Sequence, residues 1–286
     1  MRYEAPDSVS GAVALLAEAT GEARVLAGGT DLLVQMRADV VDPELIVDIK
    51  KIPETRSITE EKGGWRIGAA VTGAELKEHA RLKKAWPGVV EAANLIGSTQ
   101  VQGRATLGGN LCNGSPAADS VPPLIAAGAV ATLAGPRGRR DLPVEDVMLG
   151  PRKLALGRGE FVVSFGLPPR PPRSSDAYLR FIPRTEMDIA VVGAGVSLTV
   201  DASGTITDAR ISLGAVAPRV LLVREAAAAI VGSRLDRPAQ DRLEAAARAA
   251  CAPIDDKRGT VEFRIQIAGV LARRAALIAL DRARTR

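Results

Sequence analysis

The sequence contains two short segments built around a glycine pair, Ala27-Gly28-Gly29-Thr30-Asp31 and Thr106-Leu107-Gly108-Gly109-Asn110, and they decide how it is interpreted. Because glycine has no Cβ, backbone N–H groups in such a loop can approach an anion closely. Two loops of this kind predict two phosphate groups held by main chain, which is what a cofactor with a pyrophosphate requires. Taken singly, each pair is equally compatible with an ordinary tight turn.

The composition is that of a globular protein with mixed surface charge. The chain has 286 residues, 47% hydrophobic and 25% charged, enough for one large domain or two ordinary ones. The formal net charge of +5 comes from 38 basic and 33 acidic residues. The basic residues are spread along the chain without accompanying aromatic residues, which argues against nucleic-acid binding. The excess of basic residues favours binding of an acidic cofactor or of an acidic partner surface.

Several kinds of catalytic site are excluded by the residue inventory. Cys112 and Cys251 belong to no CxxC or Cys/His cluster, which argues against a zinc site or a cysteine-ligated Fe–S cluster in this chain. His79 is the only histidine, so a histidine-based metal site is excluded. No nucleophile elbow or Walker P-loop is present. We therefore expect no catalytic side chain and no bound metal, and assign the chemistry to a cofactor.

The N-terminal segment lacks the pattern of a signal peptide, and no apolar run approaches the length of a membrane span. We therefore predict a cytoplasmic protein without a membrane span, with reduced thiols.

Hydrophobic periodicity and turn residues predict an α+β organisation. The N-terminal part begins with a small α/β unit, with helix, strand, helix and strand at 8–20, 23–27, 31–37 and 45–49. It continues with strands at 65–69, 130–133 and 161–165 and helices at 72–80, 87–96 and 121–127. Four prolines in 168–172 interrupt regular structure. Beyond them, strands at 190–200 and 205–216 precede helices at 221–231, 238–251 and 261–284. The predicted domains are 1–170, with subdomains at about 1–55 and 56–170, and 174–286.

In amino-acid sequence and in order along the chain, several segments resemble the FAD-binding medium subunits of molybdenum hydroxylases, the family of the xanthine and carbon monoxide dehydrogenases. The matching segments are 24–31, 96–104, 106–110, 114–119, 178–190 and 258–264. The resemblance implies a two-subdomain FAD-binding fold of the vanillyl-alcohol-oxidase type. A small α+β domain, an antiparallel sheet with helices, would follow it.

The resemblance also implies residue roles. Loops 27–31 and 106–110 would hold the pyrophosphate of FAD, largely through main-chain N–H groups. Asp119 would hydrogen-bond the ribityl chain, Leu167 would lie near the flavin ring, and Arg180 would stand where the family commonly has lysine, near the polar edge of the flavin. The implied cofactor-binding residues are Arg24, Val25, Leu26, Ala27, Gly28, Gly29, Thr30, Asp31, Gly97, Thr106, Leu107, Gly108, Gly109, Asn110, Asp119, Leu167 and Arg180.

The function implied by the resemblance is electron transfer. Electrons would come from 2Fe–2S clusters on a small partner subunit, after oxidation of a substrate at molybdopterin on a large one. FAD would pass them to NAD, a quinone or O₂, and the complex would be a dimer of heterotrimers. Two alternatives stay open: a free-standing FAD-dependent oxidoreductase, and a nucleotide-binding scaffold protein without redox function.

Overall fold

A computed structural model describes residues 1–286, the whole chain. The first part is a three-stranded parallel sheet in the order β1-β3-β2. Its elements are β1 (Arg2–Glu4), α1 (Val9–Glu18), β2 (Ala23–Leu26), α2 (Leu32–Arg37) and β3 (Leu45–Asp48), followed by a 3-10 turn at Ile49–Lys51. The central strand β3 is buried along its whole length, as its apolar run Leu-Ile-Val predicts.

The second part is built on a five-stranded antiparallel sheet in the order β4-β5-β10-β6-β7. Its strands are β4 (Ile58–Glu61), β5 (Gly64–Gly68), β6 (Val130–Gly135), β7 (Gly138–Pro143), the short pair β8 (Met148–Gly150) and β9 (Lys153–Leu154), and β10 (Phe161–Leu167). Its helices are α3 (Pro53–Arg56), α4 (Gly73–Glu78), α5 (Ala80–Ala85), α6 (Pro87–Ala93), α7 (Thr99–Gln102), α8 (Leu107–Cys112), α9 (Val121–Ala126) and α10 (Val144–Val147). The predicted capping box is confirmed at α4, where Thr72 and Glu75 bond each other's backbone N–H groups.

The third part is a four-stranded antiparallel sheet in the order β11-β12-β13-β14, followed by helices. Its elements are β11 (Ser174–Phe181), β12 (Val192–Val200), β13 (Ile206–Gly214), β14 (Leu221–Leu222), α11 (Arg224–Ala228), α12 (Arg237–Ala249) and α13 (Val261–Arg284). The predicted hairpin turn at 201–204 is confirmed, with Gly204 at a φ of +82°. The sequence of strands followed by helices confirms the predicted α+β class.

Strand β11 decides how the third part meets the second. Because side chains alternate across a strand, Ala177 and Leu179 face the apolar core beneath α13. Asp176, Tyr178 and Arg180 point the other way, and each bonds a residue of the second part or of the connection before β11. One strand therefore supplies both a core face and a polar contact face.

Two predicted elements differ in the structure. The predicted helix 221–231 is shorter, since Leu221 and Leu222 pair with β13 as an edge strand and the helix starts only at Arg224. The second glycine segment is not a loop but the first turn of α8, which begins after Thr106. The Thr106 side chain accepts a hydrogen bond from the backbone N–H of Gly109, a helix cap that outweighs the low helix propensity of two glycines.

The buried apolar side chains form two clusters. One is drawn from residues between Ala12 and Leu167, together with Val220, and the other from residues between Ala177 and Ala283. None of the helices combines the length and the apolar composition that crossing a membrane requires.

Candidate cofactor-binding site

A cavity of about 610 Å³ is lined by both glycine segments. The first segment belongs to the three-stranded sheet and the second to the part built on the five-stranded sheet, so the cavity lies between these two parts. The sequence-predicted residues that line it are Arg24, Val25, Ala27, Gly28, Gly29, Thr30, Asp31, Thr106, Gly108, Gly109 and Asn110. The structure therefore brings most of the predicted site together around one space.

The first glycine segment connects β2 to α2 and presents a series of free backbone donors. The N–H groups of Gly28, Gly29, Thr30 and Asp31 have no acceptor within the protein. Gly29 has a φ of +81°, a conformation that glycine adopts without strain. Successive N–H groups in such a turn form a concavity that binds anions. This segment has the geometry expected of a phosphate-binding loop.

The second segment contributes differently from the sequence prediction. The N–H of Gly108 donates to the carbonyl of Ala69 at 3.1 Å, and that of Asn110 to the carbonyl of Thr106 at 3.0 Å. The N–H of Gly109 donates to the Thr106 hydroxyl at 2.9 Å. Only the N–H groups of Thr106 and Leu107 lack a partner. Because the N–H groups of Gly108, Gly109 and Asn110 are bonded within the protein, they are not free to bind a phosphate. This segment therefore mainly forms a wall of the cavity.

The glycines also have a packing role that their sequence pattern did not indicate. A Cβ on Gly28 would lie 2.0 Å from the carbonyl oxygen of Arg104. A Cβ on Gly108 would lie 2.5 Å from the carbonyl oxygen of Ala69. Both distances are far inside van der Waals contact, so glycine is required at each position for two backbone segments to pack together.

Polar side chains tie the two sides of the cavity to each other. Gln35 of α2 donates to Asn113 Oδ1 at 2.8 Å, and both residues line the cavity. Neither residue was predicted from the sequence, since a hydrogen bond between positions 78 apart leaves no local pattern. This bond joins the helix after the first glycine segment to the end of the helix that holds the second.

Asp119 lies outside the cavity lining but is linked to it through α8. Asn110, which lines the cavity, accepts hydrogen bonds from the backbone N–H of Ser120 at 3.0 Å and from its hydroxyl at 2.7 Å. The neighbouring Asp119 accepts from the Tyr178 hydroxyl at 2.8 Å and from Arg180 Nη1 at 2.7 Å. Burial raises the pKa of Asp119 above its ordinary value, although Arg180 and Tyr178 both act to lower it.

Arg180 is held by this contact rather than directed into the cavity. Its side chain is 6% exposed and forms an ion pair with Asp119. Tyr178, which the sequence did not single out as a site residue, is buried, and burial together with the Asp119 carboxylate raises the pKa of its phenol well above the usual range. The phenol therefore remains a donor at any physiological pH.

The remaining predicted residues lie around the cavity or away from it. Leu26 and Leu107 are buried core residues behind the two segments, and Gly97 follows the cavity-lining Ile96 with a φ of +65°. Leu167 is buried at the C-terminal end of β10 and pairs with Trp65. The cavity is lined by the opposite end of that strand, at Phe161 and Val162.

Comparison with known proteins agrees with this arrangement. A family model described as the FAD binding domain in molybdopterin dehydrogenase matches residues 1–170, and one described as the CO dehydrogenase flavoprotein C-terminal domain matches residues 177–279. The carbon monoxide dehydrogenase medium chain of Afipia carboxidovorans is 36% identical over 282 residues, covering 99% of this chain and 97% of that protein. The xanthine dehydrogenase FAD-binding subunit of Escherichia coli O157:H7 is 32% identical, covering 93% of this chain and 91% of that protein.

The fold has a close match among solved structures. A chain in the crystal structure of the Cu,Mo-CO dehydrogenase in its cyanide-inactivated form superimposes with a TM-score of 0.94 at 36% identity, covering 99% of this chain and 98% of that one.

The fold and the cavity define an FAD-binding oxidoreductase component, and the predicted two-part FAD-binding fold followed by a small α+β domain is confirmed. The chain belongs to the family of FAD-binding medium subunits of molybdenum hydroxylases, such as the carbon monoxide and xanthine dehydrogenases. FAD is accordingly the cofactor of this chain.

Proposed function

We propose that this chain carries electrons from 2Fe–2S clusters of a small partner subunit, through FAD, to NAD, a quinone or O₂. The observation that carries the proposal is the cavity lined by both glycine segments, the first of which has four consecutive N–H groups without an acceptor in the protein. FAD bound there would accept and release electrons singly or in pairs. The work of the protein is then to hold the cofactor, orient it and shape the charge around it.

The residues present fit such a cofactor. The free N–H groups of Gly28, Gly29, Thr30 and Asp31 would hold the pyrophosphate, because it offers several acceptor oxygens to donors on one short loop. The second segment, 106–110, would close the site from the opposite wall. The two glycine segments would thus have different roles, whereas the sequence predicted two equivalent phosphate-binding loops.

Asp119 of the second part would act on the ribityl chain, and Arg180 of the third part would act on the flavin. Their ion pair is buried, so the positive charge of Arg180 is shared with Asp119. A cation shared in this way would favour a reduced, anionic flavin less than an unpaired one. Leu167 would lie near the flavin ring, at the end of β10 opposite to the cavity-lining Phe161.

We propose that the chain divides into domains 1–170 and 174–286, with the first split at about residue 55. The two apolar clusters and the two matched family models support this division. The connecting segment carries Arg170, whose Nη2 donates to the buried Asp176 at 2.6 Å. This hydrogen bond attaches the proline-rich linker to β11 of the third part.

We further propose that the chain assembles with a large molybdopterin subunit and a small 2Fe–2S subunit as a dimer of heterotrimers in the cytoplasm. The similarity to the carbon monoxide dehydrogenase medium chain and to the xanthine dehydrogenase FAD-binding subunit over nearly the whole chain supports this assembly.

Co-expression with the two partner subunits tests the proposal. The expected result is a complex of three chains with flavin absorption bands, in which substrate reduces the flavin and one acceptor among NAD, quinone and O₂ reoxidises it. A flavin-containing chain that never associates and oxidises its own organic substrate would favour the free-standing enzyme. A chain without flavin bands after addition of FAD would favour the scaffold protein.

A further inference from the structure

The carbonyl oxygen of Ala27 is held by a lysine behind the first glycine segment. Lys50 Nζ lies 3.1 Å from this oxygen and 2.8 Å from Asp48 Oδ2. Ala27 is the last residue before the free N–H groups of 28–31. The lysine therefore bonds the backbone at the point where the strand becomes the anion-binding loop.

Asp48 is itself fixed by contacts from two other elements. It is 6% exposed at the end of β3, accepts from the Tyr3 hydroxyl of β1 at 2.6 Å and accepts from the backbone N–H of Lys50 at 2.9 Å. Burial alone would raise the pKa of Asp48, but the hydrogen bonds from Lys50 and Tyr3 hold it below its ordinary value. The carboxylate is thus ionised at neutral pH, and one charged contact joins β1, the end of β3 and the residue that follows β2.

This contact completes the restraints on the loop. Gly28 is fixed by its packing against the Arg104 carbonyl, and the Gly29 carbonyl accepts from Leu33 in the following helix. Lys50 supplies the restraint at the preceding residue. With carbonyls on both sides bonded, the intervening N–H groups have a defined direction, which lowers the cost of ordering them around a ligand.

Charge gives the lysine a second effect. Lys50 neutralises a buried carboxylate that stands directly behind an anion-binding loop. Without the lysine, the negative charge of Asp48 would remain and would oppose a bound phosphate.

We infer that Lys50 is a positioning residue for the pyrophosphate of the cofactor, acting through the Ala27 carbonyl and through neutralisation of Asp48. This rests on the proposed role of 28–31 in holding the pyrophosphate. Lys51 provides a matched control, because it is the adjacent lysine, is exposed, and has no hydrogen-bond or ion-pair partner.

The experiment measures the dissociation constants of FAD and of ADP for the full-length chain freed of flavin. ADP carries the pyrophosphate without the flavin. Lys50→Met should weaken both ligands about tenfold, the worth of one hydrogen bond to a charged group. Lys50→Arg, which keeps a charged donor, should recover most of the loss, and Lys51→Met should stay within about twofold of the unaltered chain.

A double variant keeps the test independent of folding. Lys50→Met combined with Asp48→Asn leaves no unpaired buried charge, so it should fold, yet it still lacks the bond to Ala27. It should bind ADP about fivefold more weakly than the unaltered chain, a smaller loss than in Lys50→Met, because the bond to Ala27 is missing but no unpaired carboxylate opposes the phosphates. ADP binding by this variant equal to that of the unaltered chain would overturn the positioning role, as would a failure of Lys50→Arg to improve on Lys50→Met.

The proposed function fails in a different way. If the unaltered chain binds FAD but has no affinity for ADP, the loop at 28–31 does not hold the pyrophosphate. The positioning role of Lys50 would then fail as well. Tight FAD and ADP binding by both the unaltered chain and the Lys50→Met variant would overturn the inference about Lys50 alone.

Discussion

Arg180 Nη1 lies 2.7 Å from Asp119 Oδ2, although the two residues are 61 positions apart, Arg180 on strand β11 and Asp119 in the segment between α8 and α9. Both side chains are more than nine-tenths buried. Tyr178, two positions before Arg180 on the same face of β11, completes the contact by donating to the other carboxylate oxygen. The ion pair is therefore both a candidate part of the cofactor site and a fastening between the FAD-binding part and the C-terminal part.

Replacing Arg180 by methionine should destabilise the chain by about 3–5 kcal/mol, because Asp119 is left as a buried charge without its partner. Arg180→Lys should cost less than about 2 kcal/mol, since the cation is kept and only the planar geometry is lost. Urea unfolding at pH 7 measures both. Equal losses in the two variants would show that the charge of the pair is unimportant.

Tyr178→Phe removes a hydrogen bond and leaves Asp119 Oδ1 buried without that donor. We expect a loss of about 1–3 kcal/mol in the free energy of unfolding. Tyr3→Phe is the control, because its hydroxyl also bonds a carboxylate but its side chain is 55% exposed. The control should lose less than Tyr178→Phe. A Tyr178→Phe variant as stable as the unaltered chain would contradict the fastening role.

Gly28→Ala should fail to form the native cavity. Its Cβ would meet the Arg104 carbonyl at 2.0 Å, and displacing backbone at this point should cost about 3 kcal/mol or more. Gly103→Ala is the matched control, because no atom lies within 4 Å of its added Cβ, and its effect should be within about 0.5 kcal/mol. Thermal unfolding in the absence of FAD compares them. Similar midpoints would mean that Gly28 is required only by the ligand.

Asp176 should make the stability of the chain depend on pH. It is 1% exposed, and burial raises its pKa to about 6 in spite of Arg170. A carboxyl group with a folded pKa above its unfolded value of 3.8 stabilises the fold below about pH 4 and loses this contribution as the pH rises through 6. The change between pH 4 and 7 should amount to about 2 kcal/mol.

The Asp176→Asn variant isolates this effect. It should remove that pH dependence, so the difference in unfolding free energy between the two proteins should shift across the same interval. Urea titrations at half-unit pH steps measure it. A constant difference from pH 4 to 7 would mean that Asp176 titrates normally. Arg170, Glu91, Arg282 and Arg286 are the other charged groups that act on this carboxylate.

Local patterns in the sequence predicted the local parts of the fold. The capping box at Thr72, the buried run of β3 and the turn at 201–204 are each specified by residues within one or two turns of chain. The same local reasoning failed at Thr106, where the glycine pair was interpreted as a loop although the threonine begins a helix. A glycine pair shows only that the backbone can adopt many conformations. The Thr106 cap selects the helical one.

The contacts between distant segments could not be predicted in this way. The pairing of Asp119 with Arg180 and of Lys50 with Ala27 depends on which strands become neighbours. The family resemblance named Asp119 and Arg180 but gave neither their mutual contact nor the involvement of Tyr178. It also named Leu167, which lies at the end of β10 opposite to the cavity-lining Phe161.

That the backbone N–H groups of 28–31 hold the pyrophosphate of FAD is the main proposal about this site. Amide hydrogen exchange of the full-length chain, measured residue by residue with and without FAD, tests it most directly. We expect the amides of Gly28, Gly29, Thr30 and Asp31, which have no acceptor within the protein, to exchange at least about tenfold more slowly once FAD is bound. The amides of Gly108 and Asn110, already bonded within the protein, should change much less. Unchanged exchange at all four residues in a chain that has bound FAD would contradict a role of these N–H groups in holding the pyrophosphate.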